Sequence, residues 1–160
     1  MKRIWGGNVS HTCIQGLLLP NTTFRLSLGP VKNLMETLRQ YGIQPTPQRL
    51  EVARYILECD RHFSAEQALA IVTERCPTIS RATVYNTLNI LVEKGLVAAR
   101  VLREGAVVFD SRVSRHHHLI DIDTDEIHDI DWGKLKVSGT RSIDGFEVQD
   151  YHVVLRGRKK

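Results

Sequence analysis

The stretch ISRATVYNTLNILVEKGLVAARVLREGAVVFD, residues 79–110, predicts a helix followed by a β-hairpin. Ser80 is a preferred N-cap residue, and Lys94-Gly95 is a typical helix end, a cation followed by a residue that tolerates the closing conformation. Two β-like runs follow at 96–102 and 106–109, joined through Glu104-Gly105, which is a hairpin signal. A last helix closed by a hairpin is typical of a winged helix-turn-helix domain, in which that helix enters the DNA major groove.

Three helices are predicted upstream of this stretch. Apolar residues recur at helical spacing from Leu34 to Tyr41 and indicate the first helix. Thr46 is expected to cap the second helix, with Pro47 as its first residue. Ser64 begins the third helix in a capping-box arrangement with Gln67. With the hairpin, these helices predict an α+β protein whose N-terminal domain is a winged helix-turn-helix.

A second acidic and histidine-rich stretch, FDSRVSRHHHLIDIDTDEIHDI at 109–130, predicts a metal site. A strand over 116–122 would place His116 and His118 on one face and His117 on the other. A second strand over 126–130, antiparallel across the turn at 123–125, would return Asp129 to the histidine pair. Imidazole and carboxylate ligands suit Fe(II), Mn(II), Zn(II) or Co(II), whereas an all-carboxylate loop would have indicated calcium.

The remaining segments predict the domain organisation. Residues 1–30 lack periodicity, and we expect a disordered segment or an over-extended start of the chain. We place the winged-helix domain at 31–110, a hinge at 111–115 and a small α/β dimerisation and metal-sensing domain at 116–160. Residues 132–144 predict a short helix or loop, and alternation over 146–155 predicts a third strand. A three-stranded sheet is too small to be stable alone, so we expect a homodimer.

Composition limits the function classes. The chain has 160 residues and a formal charge of +4, which permits a polyanionic partner without requiring one. No apolar run is long enough to span a bilayer and no secretory signal is evident, so we expect a cytoplasmic location without membrane association. The three cysteines are widely separated and contain no Cys-x-x-Cys pair, which argues against a disulfide framework and against a structural zinc site of four cysteines.

The exposed face of the last helix predicts DNA contact. Arg81, Thr83, Tyr85 and Asn86 offer donors and an aromatic ring suited to a groove. The alternatives are a solvated face or a protein-interaction module, because helix-turn-helix cores serve both.

Four segments together resemble the ferric uptake regulator superfamily: PTPQR (45–49), RHFSAEQAL (61–69), ISRATVYNTLNILVEKGLV (79–97) and RHHHLIDIDTDEIHDI (115–130). The resemblance covers about 31–160. It implies a dimeric, metal-responsive transcriptional regulator that binds an A/T-rich palindrome. It implies five ligands for the regulatory metal, Fe2+ or Mn2+ with Zn2+ as an in vitro substitute: His62, Asp110, His116, His118 and Asp129. It also implies DNA contacts from Arg49, Arg81, Thr83, Tyr85 and Asn86.

Departures from the family pattern point to a branch. Asp121 and Thr124 occupy the positions of the Cys-x-x-Cys pair that carries structural zinc in many members, so that zinc is expected to be absent. The triple histidine and basic C-terminus look most like the iron response regulators, which control iron and haem genes and in some cases bind haem. The only Cys-Pro, Cys76-Pro77, lies outside the expected N-terminal position for haem binding. The peroxide-sensing branch, with the same ligands and a final aspartate, is the alternative.

The other polar residues of the metal stretch have weaker assignments. His117 is expected either to join His152 in a second metal or haem site or, preferably, to be solvated. His128 would face away from Asp129 and is not a predicted ligand. Asp121, Asp123 and Asp125 are expected to form a solvated turn that keeps the sheet edge polar.

Two functions other than regulation fit a metal-binding protein. A metalloenzyme would use an open position on a His/Asp site, but no nucleophile and base pair or substrate motif is evident. A metal store or carrier would make poor use of one site per chain and leave the winged helix unexplained. We therefore predict a regulator and not an enzyme.

Overall fold

The computed structural model describes residues 33–59, 62–103, 105–139 and 142–160. The described helices are α1 (Leu34–Gln40), α2 (Pro47–Glu58), α3 (Ala65–Arg75) and α4 (Arg81–Glu93). The described strands are β1 (Ala98–Arg103), β2 (Ala106–Asp110), β3 (His116–Asp121), β4 (Ile127–Asp131), β5 (Ser142–Ile143), β6 (Phe146–Glu147) and β7 (Val154–Gly157), with a 3-10 helix at Trp132–Lys134. Helices followed by sheets confirm the α+β class. The predicted extension 1–30 lies outside the described residues.

Local capping explains where the helices begin. The side chains of Asn33, Thr46, Ser64 and Ser80 each accept a backbone N–H from the first turn of the helix that follows. Gln67 completes the predicted capping box by accepting the Ser64 N–H at 2.8 Å. These contacts satisfy donors that a helix leaves unpaired at its start. The helix starts predicted from Thr46, Ser64 and Ser80 are therefore confirmed.

The main hydrophobic core lies among the helices. Val52, Val72, Val84, Leu88 and Leu91 are each at most 1% exposed. Burial of their apolar surface is the chief force that packs α2, α3 and α4 together. Helix α4 is therefore fixed on its inner face, while its outer face is not part of this core.

Two sheets carry the rest of the described structure. β1 and β2 form the predicted antiparallel wing, with a register shift between Val101 and Arg103. The second sheet has the order β4-β3-β7, with β3 antiparallel to β4 and parallel to β7. A small second core joins the wing to this sheet, because Leu102 and Val108 pack with Ile120. β5 and β6 form a separate short hairpin.

The predicted strand over 146–155 is wrong for most of its length. Only Phe146–Glu147 and Val154–Gly157 are strands, and Phe146 pairs with Ile143 rather than with the main sheet. Before β7, Val153 donates its N–H to the His117 ring Nδ1 at 3.1 Å, so a side chain takes the place of a backbone partner. None of the helices among the described residues has the length and apolar character needed to cross a bilayer.

Candidate metal centre

A backbone link between the segment before α3 and the wing brings the first two predicted ligands together. Phe63 donates its N–H to the Phe109 carbonyl at 3.1 Å, and Phe109 donates to the Phe63 carbonyl at 2.8 Å. The two rings stack with centroids 6.0 Å apart. Each phenylalanine is next to a predicted ligand, so His62 Nε2 lies 3.8 Å from Asp110 Oδ2.

Strand register brings in the other three. His118 lies directly opposite Asp129 in the antiparallel pair of β3 and β4. Opposed residues in such a pair share a face, and alternation places His116 on that face as well. His116 and His118 are 1% and 0% exposed, so this face is closed to solvent at the histidines.

Four of the five predicted ligands cluster at one point, and the fifth, Asp129, lies beside two of them. Ligand atoms of His62, Asp110, His116 and His118 all lie within 4.8 Å of one another. His116 Nε2 is 3.0 Å from Asp110 Oδ2, and 3.0 Å from His118 Nε2. Asp129 Oδ1 completes the group, 3.3 Å from His62 Nε2 and 3.6 Å from His116 Nε2. The structure thus gathers residues from four separate parts of the chain.

Contacts outside the group orient two of its members. His116 Nδ1 lies 2.6 Å from the Ser114 carbonyl oxygen. A carbonyl can only accept, so Nδ1 carries the proton and the neutral ring turns its Nε2 lone pair to the centre. The Arg112 backbone N–H donates to Asp110 Oδ1 at 2.8 Å, which leaves Oδ2 facing the imidazoles.

The donor atoms fit a divalent metal ion. His62 Nε2 and Asp110 Oδ2 are buried without a hydrogen-bond partner, which is costly unless another group satisfies them. Two donors about 2.1 Å from one ion and at right angles are roughly 3 Å apart, as the Nε2 atoms of His116 and His118 are. Three imidazoles with carboxylates suit Fe(II), Mn(II), Co(II) or Zn(II).

Charge and burial shift the pKa values in this group. Burial lowers the pKa of His62, and the nearby Asp110 and Asp129 only partly oppose this effect. Burial acts against the charged form of His116 too, but the nearby Asp110 carboxylate and the Ser114 carbonyl outweigh it and raise the His116 pKa. Burial would raise the pKa of Asp110, yet the surrounding histidines hold it well below its usual range. Asp110 is therefore ionised at neutral pH.

Two arginines contact the carboxylates of this group, and sequence reasoning did not identify either. Arg112 Nη1 lies 3.3 Å from Asp129 Oδ2, and its Nη2 lies 2.8 Å from Asp131 Oδ1. Arg100 Nε lies 3.5 Å from Asp110 Oδ2. The only available signal was the general tendency of arginine to pair with carboxylates, which does not select a partner.

His117 is not solvated, contrary to the preferred expectation. Its residue exposure is 0%, and its ring stacks on Trp132 at 4.4 Å and on Tyr151 at 6.1 Å between centroids. The physical reason is that Trp132, directly after β4, and Tyr151, before β7, cover the second face of β3 with their rings. His152 lies beside His118, with ring centroids 6.0 Å apart. The second metal or haem site at His117 and His152 stays a prediction.

The acidic turn after β3 differs in one respect from its prediction. Asp123 and Asp125 are exposed as expected, but Asp121 is only 9% exposed. Asp121 Oδ1 accepts the Asp123 N–H at 3.0 Å, so this carboxylate stabilises the turn instead of facing water. His128 is exposed and lies 3.8 Å from Glu126, outside the metal group.

The candidate DNA-binding residues lie on α2 and α4. Arg81 and Asn86 are exposed, while Thr83 and Tyr85 are half-buried. The Arg81 guanidinium lies 5.8 Å from the centre of the Tyr85 ring, and the Tyr85 hydroxyl donates to Glu66 Oε1 at 3.1 Å. These contacts hold the two side chains together at the start of α4.

Two further candidates, Thr83 and Arg49, have local partners. The Thr83 hydroxyl lies 2.9 Å from the hydroxyl of the N-cap Ser80. Arg49 Nη1 donates to the Gln44 carbonyl at 2.6 Å, and its Nε is buried without a partner. Contact of any of these residues with DNA remains a prediction.

Comparison with known proteins identifies the family to which this chain belongs. The model of the ferric uptake regulator family matches residues 40–156. The chain belongs to the ferric uptake regulator family. Regulators of this family are metal-responsive and bind DNA as dimers, so this ferric uptake regulator family member is a transcriptional regulator and not an enzyme. The resemblance inferred from the sequence is confirmed at this level.

Several relatives extend along most of the chain. It is 30% identical over 129 residues to the peroxide operon regulator of Bacillus subtilis, covering 79% of this chain and 89% of the relative. It is 31% identical over 99 residues to a peroxide-responsive repressor of Staphylococcus aureus, covering 62% and 67%. The ferric uptake regulator of Pseudomonas aeruginosa, solved with manganese, superposes with a TM-score of 0.61 at 28% identity, covering 78% of this chain and 96% of that one.

Proposed function

We propose that this family member is a dimeric repressor or activator of iron and haem homeostasis genes, and that Fe2+ or Mn2+ sets its affinity for an A/T-rich palindrome. The ion would be held by His62, Asp110, His116, His118 and Asp129. The observation that supports this most directly is the convergence of three imidazoles and a carboxylate, with ligand atoms within 4.8 Å of one another. We place the protein in the cytoplasm, where its DNA would be.

The proposed ligands come from the segment before α3, the end of the wing, β3 and β4. A bound divalent ion supplies positive charge that both carboxylates can share. The five proposed ligands connect the winged-helix half (31–110) to the dimerisation half (116–160), with 111–115 as the hinge. Since metal binding favours the arrangement that brings the ligands together, it can shift the dimer towards a shape that fits two half-sites of DNA.

Fluorescence anisotropy on a labelled A/T-rich palindromic duplex tests this proposal under anaerobic conditions. We expect Mn(II) to tighten binding by about tenfold or more relative to metal-stripped protein, which is about 1.4 kcal/mol of coupling. His118→Ala should lose this response, whereas His128→Ala, which removes an exposed imidazole, should keep it. Tight binding that is indifferent to Mn(II) would contradict metal control and leave haem or a partner as the signal.

Peroxide sensing is the second candidate. It is supported by the name of the Bacillus subtilis relative, which is 30% identical over 129 residues, and by an aspartate as the last ligand, Asp129. Fe(II) reduces peroxide far more readily than Mn(II) does. Peroxide should therefore abolish DNA binding of the Fe(II)-loaded protein and leave the Mn(II)-loaded protein unchanged. Equal responses of the two forms would exclude this candidate.

Haem is a further candidate ligand, at His117 and His152. Binding at His117 would require the Trp132 and Tyr151 rings to move, because they cover it. Titration with haemin, followed by Soret absorbance, should give a saturable spectrum that His152→Ala changes. An identical spectrum in that variant would remove His152 from the proposal.

A further inference from the structure

Both carboxylates of the candidate metal centre are already paired with an arginine. Arg112 contacts Asp129 Oδ2 through Nη1 at 3.3 Å, and Arg100 Nε lies 3.5 Å from Asp110 Oδ2. Arg112 also contacts Asp131, with its Nη2 2.8 Å from Asp131 Oδ1. The guanidinium groups of Arg112 and Arg100 are permanently charged, and their side chains are 27% and 23% exposed, respectively.

The two arginines approach the ligands differently. Asp129 turns Oδ2 to Arg112 and Oδ1 to His62 and His116, so Arg112 leaves the oxygen that faces the imidazoles open. Arg100 instead contacts Asp110 Oδ2, the same oxygen that His116 Nε2 approaches at 3.0 Å. Arg112 can thus act on a bound cation through its charge, while Arg100 also shares a ligand atom with it.

The net charge around the site indicates how the two arginines affect a bound divalent ion. With neutral imidazoles, the carboxylates of Asp110, Asp129 and Asp131 and the two guanidinium groups sum to minus one. A divalent ion would raise this sum to plus one beside His116 and His118, which are at most 1% exposed. Charge repulsion in such a buried place is stronger than in water, because less solvent screens it.

We propose that Arg100 and Arg112 are built-in counter-cations of this centre, which hold Asp110 and Asp129 in the metal-free chain and lower the affinity for the divalent ion. The inference rests on the proposed metal site and adds the two residues that set its affinity for metal. In the metal-free state Arg112 joins the hinge to β4, and Arg100 holds Asp110 at the end of the wing. They also set the metal concentration at which a bound ion replaces the arginines as the main partner of Asp110 and Asp129.

A purely structural role of Arg112 predicts the opposite result. If Arg112 only positioned Asp129, its removal would let that ligand move and would weaken metal binding. If its charge opposes the ion, removal strengthens metal binding. The direction of the change in affinity therefore separates the two roles.

The test is the Mn(II) dissociation constant of the full chain, measured by competition with a chromophoric chelator. The variants are Arg112→Gln and Arg100→Gln, with Arg112→Lys as the charge-keeping variant. Arg158→Gln is the matched control, because Arg158 forms an exposed ion pair with Asp123 at 3.1 Å, away from the metal group. Thermal melting of each variant with and without Mn(II) gives a second readout.

We expect Arg112→Gln and Arg100→Gln each to bind Mn(II) about tenfold more tightly than wild type, and Arg112→Lys and Arg158→Gln to match wild type. Metal-stripped Arg112→Gln and Arg100→Gln should melt at lower temperature than wild type, and their rise in Tm on adding Mn(II) should be larger. Unchanged or weaker Mn(II) binding in folded Arg112→Gln overturns this inference alone. A wild type without saturable Mn(II) binding overturns the metal site and this inference together.

Discussion

His62 Nε2 lies 3.3 Å from Asp129 Oδ1, so a residue that precedes α3 contacts a residue of β4. The wing contributes Asp110 to the same point, and β3 contributes His116 and His118. The candidate centre is therefore a bridge between the helical half and the sheet. A ligand that binds across such a bridge favours one relative orientation of the two halves.

Removal of the helical side of this bridge should uncouple metal from DNA. We expect His62→Ala to weaken Mn(II) binding by about tenfold or more, about 1.4 kcal/mol, because one ligand is lost. The gain in DNA affinity on adding Mn(II) should shrink with it, as measured by anisotropy. His128→Ala is the control, since its side chain is 48% exposed and lies outside the metal group. A full Mn(II) response in His62→Ala would show that the bridge is not needed.

Local sequence signals predicted much of the fold. Helix starts at Thr46, Ser64 and Ser80 follow from capping chemistry, which acts within a few residues. Alternation in β3 predicted that His116 and His118 share a face, and the register with β4 places Asp129 opposite His118. These features depend on neighbours in the chain, which a sequence displays directly.

Contacts between distant segments could not be derived in the same way. His62 was selected through the family resemblance alone, and its pairing with Asp110 of the predicted metal stretch came from the same source, because the reciprocal bonds of Phe63 and Phe109 that unite them have no local signal. The strand predicted over 146–155 failed because Val153 donates its N–H to the His117 ring instead of to a strand. Partners of this kind exist only once the chain has folded.

The affinity for Mn(II) should rise with pH through the neutral range. Imidazole ligands must lose their proton to bind metal, and the pKa of His116 is raised above 6.5, with burial opposing this shift and Asp110 and Ser114 causing it. The pKa of His62 is lowered, so His62 is already neutral there. Each proton displaced gives up to about a tenfold gain in affinity per pH unit.

For the metal-free protein, the His116 side chain has the opposite pH dependence: its contribution to folding stability falls as the pH rises. His116 has a higher pKa folded than unfolded, so its stabilisation is fully present below pH 6.5 and is lost as the pH rises through the raised value.

Calorimetry of Mn(II) binding in two buffers of different ionisation enthalpy should show proton release. Affinity that stays constant from about pH 6 to about pH 8 would contradict this assignment.

The small core between the wing and the sheet should contribute to stability. Ile120 is 4% exposed and packs with Leu102 and Val108 of the wing. Ile120→Ala should lower the free energy of unfolding by about 2 to 4 kcal/mol, since it removes buried methyl groups and leaves a cavity. Ile122→Ala, at a side chain that is 50% exposed, should change it by less than about 0.5 kcal/mol. Urea unfolding measures both, and equal effects would contradict the contact.

The start of α4 should carry a cationic contact to DNA. Arg81 is exposed and lies over the Tyr85 ring, which limits the directions its guanidinium can take. Arg81→Ala should weaken binding to the palindrome by about tenfold, and loss of a phosphate contact would also lower the salt slope by about one. Metal content should not change, because Arg81 lies outside the metal group. Arg75→Ala removes the same charge from the end of α3, where Arg75 covers Tyr55, and should leave DNA affinity intact. Equal losses in the two variants would indicate a general effect of charge and remove Arg81 as a specific contact.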